Sequence, residues 1–136
     1  LLVTALVSSA ALVGLAGCSS VYTSASSAPV AAVTTLGPAE LVVVVAVEGI
    51  EVLDVRTPVE YAEGHVAGAV NIDVSSPSFG EEISALDPDA TYVVYCRSGN
   101  RSADAAAQMV EAGFTDVYDV DAGLATLSSA GVPLTR

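Results

Sequence analysis

The residues in this chain best placed to do chemistry are Cys96-Arg97-Ser98-Gly99-Asn100-Arg101-Ser102. They follow the apolar run Thr91-Tyr92-Val93-Val94-Tyr95 and precede a helix-like stretch, Ala103 to Ala112. A cysteine between a strand end and a helix start faces backbone N–H groups that have no intrahelical partner, at the positive end of the helix dipole. Both effects favour an anion, and the reactive form of cysteine is the thiolate. Arg97 and Arg101 add positive charge from both sides. Ser98, Gly99, Asn100 and Ser102 are small or polar, so the backbone can curl around the sulfur as an anion nest. The plain alternative is an inert buried cysteine, and the flanking Arg and Gly residues do not suit an apolar core.

The elements that must position this loop are legible in outline. Leu41 to Val47 is valine-rich and has strand propensity, yet Pro38-Ala39-Glu40 before it has the form of a helix start. Ile50 to Val55 reads as a short buried strand, and Thr57-Pro58 opens a turn or short helix, Pro58 to Ala62. Ala69 to Ile72 is a further short strand. Phe79 to Leu86 reads as a helix ended by Asp87-Pro88. Thr91 to Tyr95 is a strand and Ser102 to Ala112 a helix closed by Gly113. Asp116 to Val120 is a strand, and Ala122 to Ala130 a last helix closed by Gly131. Strands alternating with helices predict an α/β domain with a largely parallel sheet. Sites in such sheets lie at the carboxyl ends of strands, where Cys96 falls.

A length of 136 residues supports one domain with appendages. Residues 34–136 are assigned to that domain. The hydrophobic share of 52% is high, and Leu1 to Ala16 contains no charge. This stretch has the length of a signal h-region and falls short of the roughly 20 apolar residues of a membrane span. Lacking an initiator Met and a basic n-region, it points to a precursor that begins earlier. It ends in Leu15-Ala16-Gly17-Cys18, which resembles the lipobox of bacterial lipoprotein precursors. Residues 1–17 are therefore read as a signal segment, and Cys18 as the lipidated residue of an exported, membrane-anchored protein. Residues 18–33 form a Ser/Ala-rich tether. An ordinary signal peptide that happens to contain a cysteine is the alternative. With two cysteines in the chain and Cys18 lipidated, Cys96 has no intrachain partner, which suggests a reactive thiol rather than a staple.

The charge is lopsided, with four Lys+Arg against sixteen Asp+Glu and a net of −12. Nucleic-acid binding needs a basic footprint, so that class is excluded. Electrostatic docking to anionic lipid is excluded on the same ground, leaving the anchor as the membrane contact. Three of the four arginines, Arg56, Arg97 and Arg101, fall in the segments that carry the motifs. One histidine and one free cysteine do not make a metal site at usual ligand spacing, and no cofactor is implied.

Asp54-Val55-Arg56-Thr57-Pro58-Val59-Glu60-Tyr61, then Glu63-Gly64-His65-Val66-Ala67-Gly68-Ala69-Val70-Asn71-Ile72, then the Cys96 loop, together resemble the single-domain rhodanese family. The resemblance covers roughly residues 34–136, in order and with natural spacing. It implies a five-stranded parallel sheet with helices on both faces, and makes the valine run the first helix despite its propensity. It also implies sulfur transfer. The Cys96 thiolate would take the outer sulfur of thiosulfate or another sulfane donor, hold it as a persulfide, and pass it to cyanide or a thiol. Arg97 or Arg101 would hold the donor's sulfonate oxygens.

The loop runs Cys, four residues, Arg, as in the family's sulfurtransferases. The related dual-specificity phosphatases have five residues there, and usually a His where this chain has Tyr95. Rhodanese-like arsenate reductases stay open. So does a non-catalytic binding or redox-sensing module, since a lone thiol outside the cytoplasm can be oxidised.

By the same resemblance His65 is structural rather than a general base. Asp54 supports the site by hydrogen-bonding the loop or a nearby Arg, and Arg56 pairs with Glu60 or Glu63. Asp104 is expected to complement the first turn of the loop helix, and Tyr61 and Phe79 to lie in the core. The family's Gly-Gly-Ile-x-Ala-Trp segment is here Ala122-Gly123-Leu124-Ala125-Thr126-Leu127, and the Pro of its Gly-His segment is Ala67. Both changes are expected at the pocket rim.

Overall fold

The structure, a computed structural model, describes residues 32–136; Cys18, the signal segment and most of the tether lie outside them. The chain order is β1 (Thr34–Leu36), α1 (Pro38–Val44), β2 (Ile50–Asp54), α2 (Pro58–Glu63), β3 (His65–Val66), β4 (Val70–Asn71), α3 (Phe79–Ser84), β5 (Thr91–Tyr95), α4 (Asn100–Glu111), β6 (Asp116–Val120), α5 (Leu124–Ala130) and β7 (Leu134–Thr135). Five strands form one sheet in the order β1-β6-β5-β2-β4, and every pairing in it is parallel. β3 and β7 make a separate antiparallel ribbon.

Period-2 alternation along the central strands divides the core between the two faces of the sheet. Leu53, Val94 and Val117 point to the side covered by Phe79 and Ile83 of α3 and by Ala105, Ala106 and Met109 of α4. Val52, Val93, Tyr95 and Val120 point to the side covered by Leu41 of α1 and Leu127 of α5. The architecture is the five-stranded parallel sheet with helices on both faces that the resemblance implies; the alternation alone gives a largely parallel sheet, and β1 is a strand it does not show.

The valine-rich run is helical from Pro38 to Val44. Pro38 presets the helical backbone at the first position, and the Glu40 carboxylate accepts from the Gly37 amide at 2.6 Å. Leu41 is fully buried and α1 packs against α5. Start signals plus one buried anchor outweigh a β-propensity scale that spans only about 1 kcal/mol. Leu127, expected at a pocket rim in place of the family's Trp, is fully buried in the core instead.

A buried polar network fastens the centre of the sheet to the β3 corner. Asp54 is fully buried and Arg56 nearly so. Arg56 Nε donates to Asp54 Oδ1 at 2.9 Å, and its Nη2 donates to Asp54 Oδ2 at 2.5 Å and to the Gly64 carbonyl at 2.7 Å. Tyr95 Oη donates to Asp54 Oδ2 at 2.6 Å and accepts from the Val66 amide at 2.9 Å. Arg56 therefore pairs with Asp54, not with Glu60 or Glu63 as expected. The carboxylate two residues away on the same strand end reaches it first. His65 belongs to the same corner: its ring stacks on Tyr61 with centroids 3.6 Å apart, and Nδ1 donates to the Tyr61 carbonyl at 2.9 Å. Tyr61 is half-buried rather than a full core residue, and its hydroxyl donates to the Ala69 carbonyl at 2.7 Å.

Removing one partner of a buried ion pair strands the other charge. Asp54→Ala or Arg56→Ala is thus expected to destabilise the domain by about 3–5 kcal/mol, read as a lower midpoint in urea unfolding. A loss under 1 kcal/mol would mean that the vacated charge finds water.

Candidate active site

Cys96 follows the last residue of β5, at the carboxyl end of the middle strand of the sheet. Its side chain is fully buried. The loop turns back at Gly99, whose φ of 92° lies in the left-handed region, and α4 starts at Asn100, two residues earlier than the sequence suggests. This turn aims amides at the sulfur: Gly99 N–H donates to Sγ at 3.0 Å and Ser98 N–H at 3.4 Å. Burial pushes the Cys96 thiol up. The Ser102 hydroxyl and the Ser98, Ser102 and Gly99 amides favour the thiolate and win, so the thiol titrates below an ordinary cysteine.

Two glycines make this curl possible. A Cβ on Gly99 would come within 2.9 Å of Asp121 Oδ1, in addition to its backbone demand. A Cβ on Gly123 would overlap the carbonyl oxygen of Arg97, so the loop after β6 packs directly on the cysteine loop. Gly123 is thus part of the site, though its sequence signal is only one Gly in a segment that departs from the family's pattern.

The two loop arginines differ in state. Arg101 makes a bidentate pair with Glu60, Nη1 to Oε2 at 2.9 Å and Nη2 to Oε1 at 2.8 Å. Arg97 is exposed and forms no ion pair among the described residues. Glu60 also closes the capping box of α2: Thr57 N–H donates to Glu60 Oε2 at 3.1 Å, and Glu60 N–H donates to Thr57 Oγ1 at 3.3 Å. One carboxylate therefore starts a helix and holds a loop arginine. The sequence hides this second role because the partners are 41 positions apart.

Ser98 and Asn100 are exposed, and Ser102 is fully buried beneath the loop, where its hydroxyl donates to the Gly99 carbonyl at 2.9 Å. Asp54 and Arg56 bond each other and the β3 corner, and no hydrogen bond joins them to the cysteine loop. Asp104 lies beyond the first turn of α4 and does not cap it, because the helix begins at Asn100. A cleft of about 670 Å³ opens beside the loop, lined in part by Arg56, Glu60, Arg97, Gly123 and Thr126. Among the described residues no group of three or more His, Cys, Asp or Glu side chains is placed to hold a metal ion.

A family model, "Rhodanese-like domain", matches residues 38–130. The chain belongs to that family. It is 45% identical over 75 residues to a protein from Pseudomonas paraeruginosa named thiosulfate sulfurtransferase GlpE, a match covering 55% of this chain and 66%, just under two thirds, of that relative's length. Its fold is similar to a rhodanese-related protein from Thermoplasma volcanium, with TM-score 0.66, 31% identity, and coverage of 75% of this chain and 97% of the other. It is also similar to a structure from E. coli titled "rhodanese with anions", with TM-score 0.51, 28% identity, and coverage of 64% and 98%.

Arg101 holds the Glu60 carboxyl well below its ordinary range, at about 2. A depressed carboxyl stabilises the fold above its unfolded pKa of about 4.5 and loses that contribution as pH falls through about 2. Glu60→Gln should flatten the stability curve across that window, in thermal melts taken every half pH unit. An unchanged slope would assign the acid limb to other carboxylates.

Proposed function

We propose that this rhodanese-like domain is a sulfurtransferase in which Cys96 carries the sulfur. The observation that supports this most directly is the buried Sγ held by loop amides at the start of α4, in a loop of Cys, four residues, Arg. The thiolate attacks the outer sulfur of thiosulfate. The bond between that sulfur and the sulfonate sulfur breaks, and sulfite leaves with the electron pair. Cys96 is left as a persulfide anion, and the amides that favoured the thiolate now face the persulfide. A nucleophilic acceptor, cyanide or a thiol, then bonds to the outer sulfur, and the Cys96 thiolate departs as leaving group. No oxidant or reductant is consumed. The name of the Pseudomonas relative supports thiosulfate as donor.

Arg97 is the residue we assign to the donor's sulfonate oxygens, since Glu60 occupies Arg101. Arg101 then serves by holding the end of the loop. In a chain of net charge −12, an unpaired arginine beside the loop is a local attractor for an anion. The loop length argues against phosphoryl chemistry, because a phosphate needs a wider cradle than the four residues between Cys96 and Arg101 provide.

Purified protein mixed with thiosulfate should gain the mass of one sulfur atom, and cyanide should remove it with release of thiocyanate. Cys96→Ala should do neither. Arg97→Ala should keep the persulfide chemistry but raise the donor KM about tenfold or more, the loss expected when a charged hydrogen bond is removed. An absence of adduct with thiosulfate and with persulfide donors would favour the binding or redox-sensing module instead.

We propose the extracytoplasmic membrane surface as the place of action, on the strength of Leu15-Ala16-Gly17-Cys18 after an uncharged apolar stretch. In bacterial cells expressing the full precursor, the protein should take up labelled fatty acid and sediment with membranes. Cys18→Ala should abolish both. Label uptake that survives the substitution would place the anchor elsewhere.

A further inference from the structure

Behind the cysteine loop, on the face of the sheet covered by α4, lies a carboxylate with no role in the chemistry above. Asp119 occupies the next-to-last position of β6, paired in register with Val94 of β5 and Thr35 of β1. It is 6% exposed, and its Oδ1 is buried without a hydrogen-bond partner among the described residues. A buried carboxylate oxygen left unpaired is costly, so its position requires a reason.

The neighbour that joins Asp119 to the site is Ser102. This hydroxyl is fully buried and favours the charged form of both the Cys96 thiol and the Asp119 carboxyl. It has one proton to give. In the structure that proton goes to the Gly99 carbonyl at 2.9 Å, with the Val120 carbonyl 3.5 Å away. An ionised sulfur and an ionised Asp119 are rival acceptors for the same hydrogen.

We infer that Asp119 is a positioning residue that restrains Cys96, its carboxylate drawing the Ser102 hydroxyl from the sulfur and setting a second negative charge behind the loop. When Asp119 is protonated, its O–H donates to Ser102 Oγ and Ser102 donates to the sulfur, which supports the thiolate. When Asp119 is ionised, Ser102 turns to the carboxylate and the sulfur retains its own proton more readily. The thiol and the carboxyl thus titrate as a pair. Burial pushes the Asp119 carboxyl up and Asp121 adds to the shift, while Ser102 and the Val120 amide oppose it.

Few other charges face this pair. Asp121 follows β6. Arg101 of α4 senses the sulfur's charge but is matched by Glu60 of α2 and also feels Asp73 from the segment after β4. Asp104 of α4 is exposed. β5 brings Tyr92 and Tyr95, both raised first by burial, and β1 brings no titratable side chain. Asp119 is therefore the buried, unmatched carboxyl behind the loop whose protonation state is placed to move Cys96.

The inference rests on reading Cys96 as the nucleophile, and its test needs no turnover. Thiolate formation is followed by absorbance near 240 nm against pH in the purified domain, and by the rate of iodoacetamide alkylation. Asp119→Asn should lower the Cys96 titration by about one pH unit, which makes alkylation below the thiol pKa about tenfold faster. Asp119→Ser, a different shape that also removes the charge, should shift it the same way. In a Ser102→Ala background the Asp119→Asn shift should shrink, because the shared hydroxyl is gone. Thermal midpoints identify any variant that is merely loosened, and loosening alone does not move the thiol downward. Identical titrations in wild type and both Asp119 variants, or a higher one in the variants, would overturn the inference even in an active sulfurtransferase. Absence of sulfur transfer with the shift present would instead overturn the function proposed above.

Discussion

A thiolate held out of water sets the terms for the rest of this structure. Burying an unpaired charge costs several kcal/mol, so a fully buried sulfur becomes acidic only if the protein replaces the water it has lost. The replacement here is the Ser98 and Gly99 amides aimed at Sγ, with the buried Ser102 hydroxyl beneath the loop adding to them. Backbone donors need no side-chain ordering once the chain is curled, but the curl is demanding. It requires left-handed φ at Gly99, close approach of Gly123 to Arg97, and a helix that begins four residues after the cysteine. Two of these lie within the cysteine loop itself, and the third brings Gly123 in from the segment after β6.

Support for the curl is passed outward through partners of opposite charge. Arg101 is pinned by Glu60, which is itself fixed as the capping carboxylate of α2. The segment leading to α2 is tied down by the Asp54–Arg56 pair, with Tyr95 of β5 closing the network onto Val66. Tyr95 directly precedes Cys96, so the strand that delivers the nucleophile also anchors the corner that holds its arginine. The motif segments around Asp54, Gly64 and Cys96 form one mechanical unit. This also explains the unequal arginines. Arg56 and Arg101 are absorbed in structure, and Arg97 alone is left facing solvent at the site.

The parallel sheet was legible because its central strands are short, apolar and bounded by turn residues. Thr91 to Tyr95 and Asp116 to Val120 match the strands residue for residue. β1, β3 and β7, two or three residues each, were not legible, because a period of two hardly shows in so short a run; β4, equally short, was read only through the run Ala69 to Ile72 around it. The valine run exposes the limit of propensity. Its side chains favour a strand, and its actual state follows from the cap before it and the burial of Leu41 against α5. At the site, the cysteine loop was legible from residue types alone. The choice of Asp54 over Glu60 and Glu63 for Arg56 was not, because three carboxylates lie within reach of it in the sequence, and the capture of Arg101 and the isolation of Asp119 were not, since both depend on which segments lie side by side.

By itself the sequence determined the chemistry on offer: a thiol at a strand end, small and polar residues able to wrap it, positive charge beside it, and the alternation that builds a parallel sheet. These are local properties, carried by residue type and spacing within a turn or two. The tertiary structure alone decided how that chemistry is held. It chose Asp54 over Glu60 for Arg56, gave Glu60 to Arg101, set Gly123 under Arg97 and buried Asp119 in register beside Val94. Apart from the local Asp54–Arg56 pair, those choices are contacts between segments far apart in the chain. They are governed by strand order, register and burial, which no single stretch of sequence contains.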